Sequence, residues 1–251
     1  MPGASVRRVA LGLLFAMFLT IPAQVRGGQL PVVQDAATPG TGPCGSVSAA
    51  TPHSHEAHED TPAGNAADYP FDLVFIDAML FNHEASVAMA EIARQSSERP
   101  EILGIADGII ATQVGDITQL RAWRSSWYPD AEPVPANVVT GLGDEGLMTS
   151  GALGGSGETS MADDTAIAVQ RLCAPEGPFD LVFLTEIIPI HQRAVGMARL
   201  ALDRAEHAEL KALAQEIVMV QEVEVGQMIT WLAEWYPQSP AAPVDGTPTT
   251  G

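Results

Sequence analysis

PFDLVFIDAMLFNHEASVAMA at residues 70–90 and PFDLVFLTEIIPIHQRAVGMA at residues 178–198 are two versions of one segment. At a fixed offset of 108 the match runs without a gap to Trp127-Tyr128-Pro129 over Trp235-Tyr236-Pro237, and 21 of 60 positions are identical. Chance would leave only a few identities, so the chain carries a duplication. His83 falls on His191, Val87 on Val195, Met89 on Met197, Gln113 on Gln221 and Trp123 on Trp231.

Each copy reads as two helices. Pro70 and Pro178 fit a first helical turn, and Asp72 and Asp180 stand where an acid complements the helix dipole. Phe71, Phe75, Met79, Val87 and Ala90 recur close to helical spacing. Polar breaks at Ser96–Pro100 and Asp203–His207 separate a second helix, which runs to the Trp-Tyr-Pro stop. Its apolar side is Ile105, Ile109, Ile117, Leu120, Trp123 and Trp127 in the first copy, with Leu213, Ile217, Met228, Trp231 and Trp235 in the second. Breaks this short make antiparallel hairpins, and two hairpins can share one interior as an all-α four-helix bundle. Hairpins of this length are marginal alone, so the two are expected to pack together.

Outward from the modules the chain changes character. Residues 1–26 hold Arg7-Arg8 and the apolar run VALGLLFAMFLTI, too short for a membrane span but suited to a signal peptide. An uncleaved N-terminal anchor is the alternative. Residues 27–68 read as a disordered linker with a His-rich tract, residues 130–158 as a flexible linker, and residues 238–251 as a disordered tail. Copy 1 occupies 69–129. Copy 2 lies in 159–237, behind a short extra helix over Met161–Leu172 capped by Ser160 or Thr159. Cys44 and Cys173 could form a disulfide outside the cytoplasm or remain two free thiols.

The composition excludes some partners. Thirty-one acids against twelve bases give a formal net charge of −19, a field that repels nucleic acid and anionic membranes and attracts cations only diffusely. No nucleophile–base arrangement, phosphate loop or CxxC pair is present, so the chain reads as a non-enzyme without an organic cofactor. Neither histidine has Glu three residues before it (Leu80 and Ile188 stand there), which argues against a di-iron site.

The candidate metal ligands are Met79, His83, Met89, His191, Met197 and Met228, with Gln113, Asp116, Gln221 and Glu224 offered by the second helices. Imidazole with thioether suits copper, especially Cu(I). The competing reading is that methionine fills core gaps and each histidine is satisfied by a neighbouring amide or acid. A separate tract, His53, His55 and His58 among acids, could hold Cu(II), Ni(II) or Zn(II) without a fold. The four tryptophans read as closure of the bundle's end. Pro189, inside the first helix of copy 2, is expected to kink it beside His191.

FDLVFLTEIIPIHQRAVGMARLAL followed by ELKALAQEIVMVQEVEVGQMITWLAEWYP resembles the domain of unknown function 305 family, with PFDLVFIDAMLFNHEASVAMA a more diverged copy of the motif. The resemblance implies a ferritin-like helical bundle of exported bacterial proteins, periplasmic or extracellular, whose members include copper-binding proteins of the CopM type. Of the family's two adjacent histidines the second remains, as His83 and His191; the first is Asn82 and Ile190. The leading methionine is Met79 in one copy and Ile187 in the other, and the late one is Met228 against Leu120. The expectation is therefore a bundle that binds copper weakly, with metal ions as partners. The alternative is a structural or protein-interaction module.

Overall fold

Pro70 and Pro178 each stand immediately before a helix rather than inside it. α1 spans Phe71–Ser96 and α5 spans Phe179–Arg204. Between and after them lie α2 (Pro100–Trp127), α3 (Ala136–Thr149), α4 (Met161–Cys173) and α6 (Ala208–Trp235). The computed structural model describes Cys44, residues 64–149 and residues 161–237. All of these belong to the unit spanning 38–251. The expected signal segment, the His-rich tract and the expected C-terminal tail lie outside the described residues.

Burial ranks the helices. α1 buries 15 of its 26 residues and α5 buries 13 of 26, whereas α2 buries six of 28 and α6 seven of 28. The first helix of each copy is thus an inner helix, wetted on little of its circumference. The second is an outer helix that contributes a narrow stripe, Ile102, Ala106, Ile109, Gln113, Ile117 and Leu120 on α2, at the spacing of a packing seam. α5 continues unbroken through Pro189.

The inner helices cross antiparallel about a pseudo-two-fold axis. Asn82 Nδ2 donates to the carbonyl of Ile190 at 3.0 Å, and these two residues are equivalent at the 108 offset. Both ends of the crossing are clamped across the copies. At the start of α1, Asp72 accepts the backbone N–H groups of Glu206 and His207 at 3.0 Å and meets His207 Nδ1 at 2.7 Å. At the start of α5, the equivalent Asp180 accepts from Ser97 Oγ at 2.6 Å and Arg99 Nε at 3.2 Å. Asp72 thereby serves the start of α6, where free N–H groups and the dipole favour negative charge, whereas Asp180 is held by side chains of the loop before α2. His207 stacks on Trp127 at 3.7 Å, and Arg99 lies 4.0 Å over Trp235. The tryptophans close the bundle's ends, as stacked pairs lidded by a loop residue from the opposite copy.

The antiparallel crossing splits the core into two apolar halves. One gathers Phe75, Met79, Leu120, Met197, Leu210 and Ile217. The other gathers Met89, Ile109, Phe183, Ile187, Met228 and Leu232. The polar residues His83, Gln113, His191 and Gln221 are also buried.

The linker expected over 130–158 needs correction, because α3 forms within it. Gly141, Gly143 and Gly146 make it a poor helix on propensity alone, each costing about 1 kcal/mol against Ala. Tertiary contacts hold it instead. A Cβ on Gly146 would stand 2.7 Å from Met197 N, and one on Gly196 would overlap the Gly146 carbonyl. The two backbones meet only because both residues are glycine. Asp77 fixes the approach to α3 by pairing with Arg124 (2.6 Å) and accepting from Val134 N (3.2 Å). Arg204 and Glu145 pair between α5 and α3. α3 also carries Asn137, whose side chain accepts from Gly64 N at 3.3 Å and donates to Gly64 O at 2.9 Å. The expected linker over 27–68 likewise includes a short 3-10 turn, Ala66–Asp68. α4, expected from the sequence, covers the other half-core through Ala168 and Leu172. Its last residue, Cys173, is joined to Cys44 in a disulfide, so neither cysteine is a free thiol. Gly177, with φ of 120°, makes the turn from α4 into α5.

Candidate metal centre

Helical spacing on α1 and α5 aims His83 and His191 inward, and Met79, Met89, Met197 and Met228 point inward as well; all six are 0% exposed. His53, His55 and His58 lie outside the described residues. The sulfurs divide between the half-cores. Met79 and Met197 share one apolar cluster, and Met89 and Met228 share the other. Each half therefore keeps two thioethers, one from each copy, although each copy has lost one methionine relative to the other. Comparing the copies as linear sequences cannot show this, because the pairing follows from the antiparallel crossing.

The histidines keep polar company from the outer helices. His83 Nε2 lies 3.2 Å from Asp116 Oδ2 on α2 of its own copy. His191 Nε2 lies 3.4 Å from Glu224 Oε2 on α6 and 3.5 Å from the Gln113 side-chain amide, which reaches in from the first copy. The first contact is a hydrogen bond. The second and third are long for one, and Glu224 Oε2 makes no hydrogen bond. Nδ1 of both rings and Oε1 of both Gln113 and Gln221 are buried without a hydrogen-bond partner. Groups of this kind normally find partners, ordered water and ions among them. Burial pushes the His83 ring below its ordinary value; Asp116 pulls it back up but does not win. Burial thus favours the neutral ring, the form that coordinates metal.

Among the described residues no three His, Cys, Asp or Glu side chains gather as a ligand group. The arrangement has imidazole nitrogens and carboxylates in pairs, an amide crossing between copies, and thioethers on either side. A surface cleft of about 650 Å³, walled by Tyr69, Phe71, Val74, Val138 and Leu142, contains none of the expected ligands. Asp116, Glu224 and Gln113 were legible as second-helix donors. The reach of Gln113 to the other copy's histidine was not.

Comparison with known proteins places the fold. The sequence profile of the domain of unknown function (DUF305) matches residues 72–232, with a second match over 180–249. CopM in its Cu(II)-bound form is similar over 66% of this chain and 97% of its own, at 32% identity and a TM-score of 0.51. CopM in its Cu(I)-bound form is similar over 66% and 97%, at 29% identity and a TM-score of 0.49. A DUF305 protein from Streptomyces coelicolor shares the fold over 66% of this chain and 93% of its own, at 23% identity and a TM-score of 0.53. No functionally curated protein matches the chain.

Proposed function

The chain belongs to the domain of unknown function (DUF305) family, and from that membership we infer that it is an exported helical bundle that binds copper or a similar soft cation in its interior. One observation carries the reading: His83 and His191 are fully buried, and each keeps a ring nitrogen with no partner. Leaving such an atom unsatisfied costs on the order of 1–3 kcal/mol, which a core selected only for packing would avoid. CopM, similar to this chain, has been obtained with Cu(II) bound. The donor set fits copper in kind, since neutral imidazole and thioether are ligands for Cu(I). His83 and His191 would hold it, with the Met79–Met197 and Met89–Met228 pairs as the sulfur source in each half. When bound, copper would supply the charge that the unpartnered lone pairs lack.

Export is supported by the arginine-led apolar segment at the N-terminus and by the Cys44–Cys173 bond, since disulfides persist in oxidising compartments. The role is one of binding, and no reaction is assigned. The competing reading, a structural or interaction module, draws on the methionines' membership of the apolar clusters. Thermal unfolding with and without stoichiometric Cu(I) separates the two. A cation bound only to the folded state stabilises it by about 2.7 kcal/mol at a hundredfold excess over Kd. The shift should appear in the full chain, persist when His53, His55 and His58 are replaced by serine, and vanish in the His83→Ala/His191→Ala double variant. An unchanged melting temperature in the full chain sinks the copper reading.

A further inference from the structure

The contacts around His191 are long for hydrogen bonds and closely matched to each other. Nε2 lies 3.4 Å from Glu224 Oε2 and 3.5 Å from the Gln113 amide nitrogen. A tetrahedral ion with bonds of about 2.0–2.1 Å holds its ligand atoms about 3.3 Å from one another. Both distances from His191 Nε2 are thus close to the separation of ligand atoms around such an ion. The Gln113 amide is two-fold in shape, and turning it over exchanges its nitrogen for its oxygen at the same place. That oxygen currently has no partner, and the residue is 1% exposed. His191 and Glu224 Oε2 are buried, whereas the Glu224 side chain as a whole keeps 15% of its surface exposed, so the centre lies at the edge of the core.

We propose that His191 Nε2, Glu224 Oε2 and the Gln113 amide oxygen form a cation site that joins the two copies and takes a divalent ion of borderline hardness, such as Zn(II), Co(II) or Cu(II). The inference rests on the reading that the bundle interior accepts metal. It differs from that reading in its donors, which are one nitrogen and two oxygens with no sulfur. Two oxygens disfavour Cu(I), and nitrogen with oxygen favours divalent ions. Its third donor is an amide, so the site holds only two ionisable ligands. Copy 1 does not repeat it. Asp116, one methylene shorter than Glu224, sits 3.2 Å from His83 and hydrogen-bonds to it, which occupies the position an ion would take.

Co(II) is the probe, because its visible ligand-field absorption is strong in tetrahedral sites and weak in octahedral ones. Titrating the full, disulfide-bonded chain should raise an intense band that one equivalent of Zn(II) abolishes, since Zn(II) binds the same donors more tightly. Glu224→Gln, close to isosteric, should weaken Co(II) binding roughly tenfold or more, on the scale of losing a metal-site interaction. Gln113→Leu should weaken it as well, and Asp116→Asn should leave it unchanged. Circular dichroism confirms that each variant is folded. A band that survives Glu224→Gln and Gln113→Leu, or that Asp116→Asn removes equally, overturns the site. Cu(I) binding without any Co(II) band overturns this site and leaves the copper reading standing. Binding of neither ion overturns both.

Discussion

His83 with Asp116 and His191 with Glu224 occupy equivalent places in the two copies, and they differ by one methylene. In copy 1 the shorter acid reaches its histidine at 3.2 Å and the pair closes on itself. In copy 2 the longer acid stops at 3.4 Å without making a hydrogen bond, and an amide from the other copy completes the surround. Duplication thus supplies an internal control. Positions that kept their residue do the same work twice, whereas positions that diverged mark where one copy took on a contact the other lacks. Three experiments press on that comparison.

The largest expected effect is away from the histidines. Gly196 faces Gly146 with no room for a side chain, and its counterpart in copy 1 is Ala88, half exposed. Gly196→Ala should destabilise by up to about 3 kcal/mol, the upper range for overpacking. Amide exchange over 136–149 should accelerate as α3 leaves its seat. Ala88→Gly, the mirror change, should cost only about 1 kcal/mol of helix propensity. Equal small losses in urea titrations would mean that the glycine contact does not hold α3.

The acid–histidine pairs come next. In metal-free protein, Asp116→Ala strips a buried imidazole of its hydrogen bond and should cost about 1–3 kcal/mol. Glu224→Ala removes a carboxylate that makes no hydrogen bond through Oε2, and should cost less than about 1 kcal/mol. Chemical denaturation of both variants checks the ordering. A reversal would show that the copy 2 pair is the closed one.

The smallest effect belongs to the end clamps. Arg99 lies over Trp235, whereas His207 stacks on Trp127 at the equivalent place. A guanidinium over a half-exposed indole contributes about 0.5–1 kcal/mol. Arg99→Gln keeps a donor toward Asp180 but gives up the cation over Trp235, and should lower stability by about that amount. An unchanged melting curve would show the clamp to be governed by something other than the stacked cation.

Much of the fold was legible because a gap-free repeat fixes which residues are equivalent and where the helices break. α3 was not legible, for a physical reason. Its 14 residues carry three glycines and little helical preference, and what holds them lies far away in sequence, at Gly196 and at the Asp77–Arg124 pair. A signal did exist in the differences between copies. Asp77 and Arg124 stand opposite Thr185 and Leu232, and Gly196 stands opposite Ala88. These mismatches are where an unrepeated segment docks. The centre was half legible in the same way. Helical spacing placed both histidines inside, but the distribution of thioethers and the reach of Gln113 across to His191 depend on the antiparallel crossing, which periodicity within one helix does not encode.

The Cys44–Cys173 bond has a topological consequence. Cys173 ends α4 just before α5 begins, while Gly64 is held by Asn137 just before α1 begins. The inner helices run in opposite directions, so these two attachment points belong to opposite ends of the bundle. The 19 residues from 45 to 63, His53, His55 and His58 among them, are thereby bracketed between fixed ends and form part of a covalently closed circuit. Reduction opens that circuit at Cys44. The bond spans 129 positions of sequence and so draws copy 1, α3 and α4 inside a single covalent loop that closes at the entrance to copy 2.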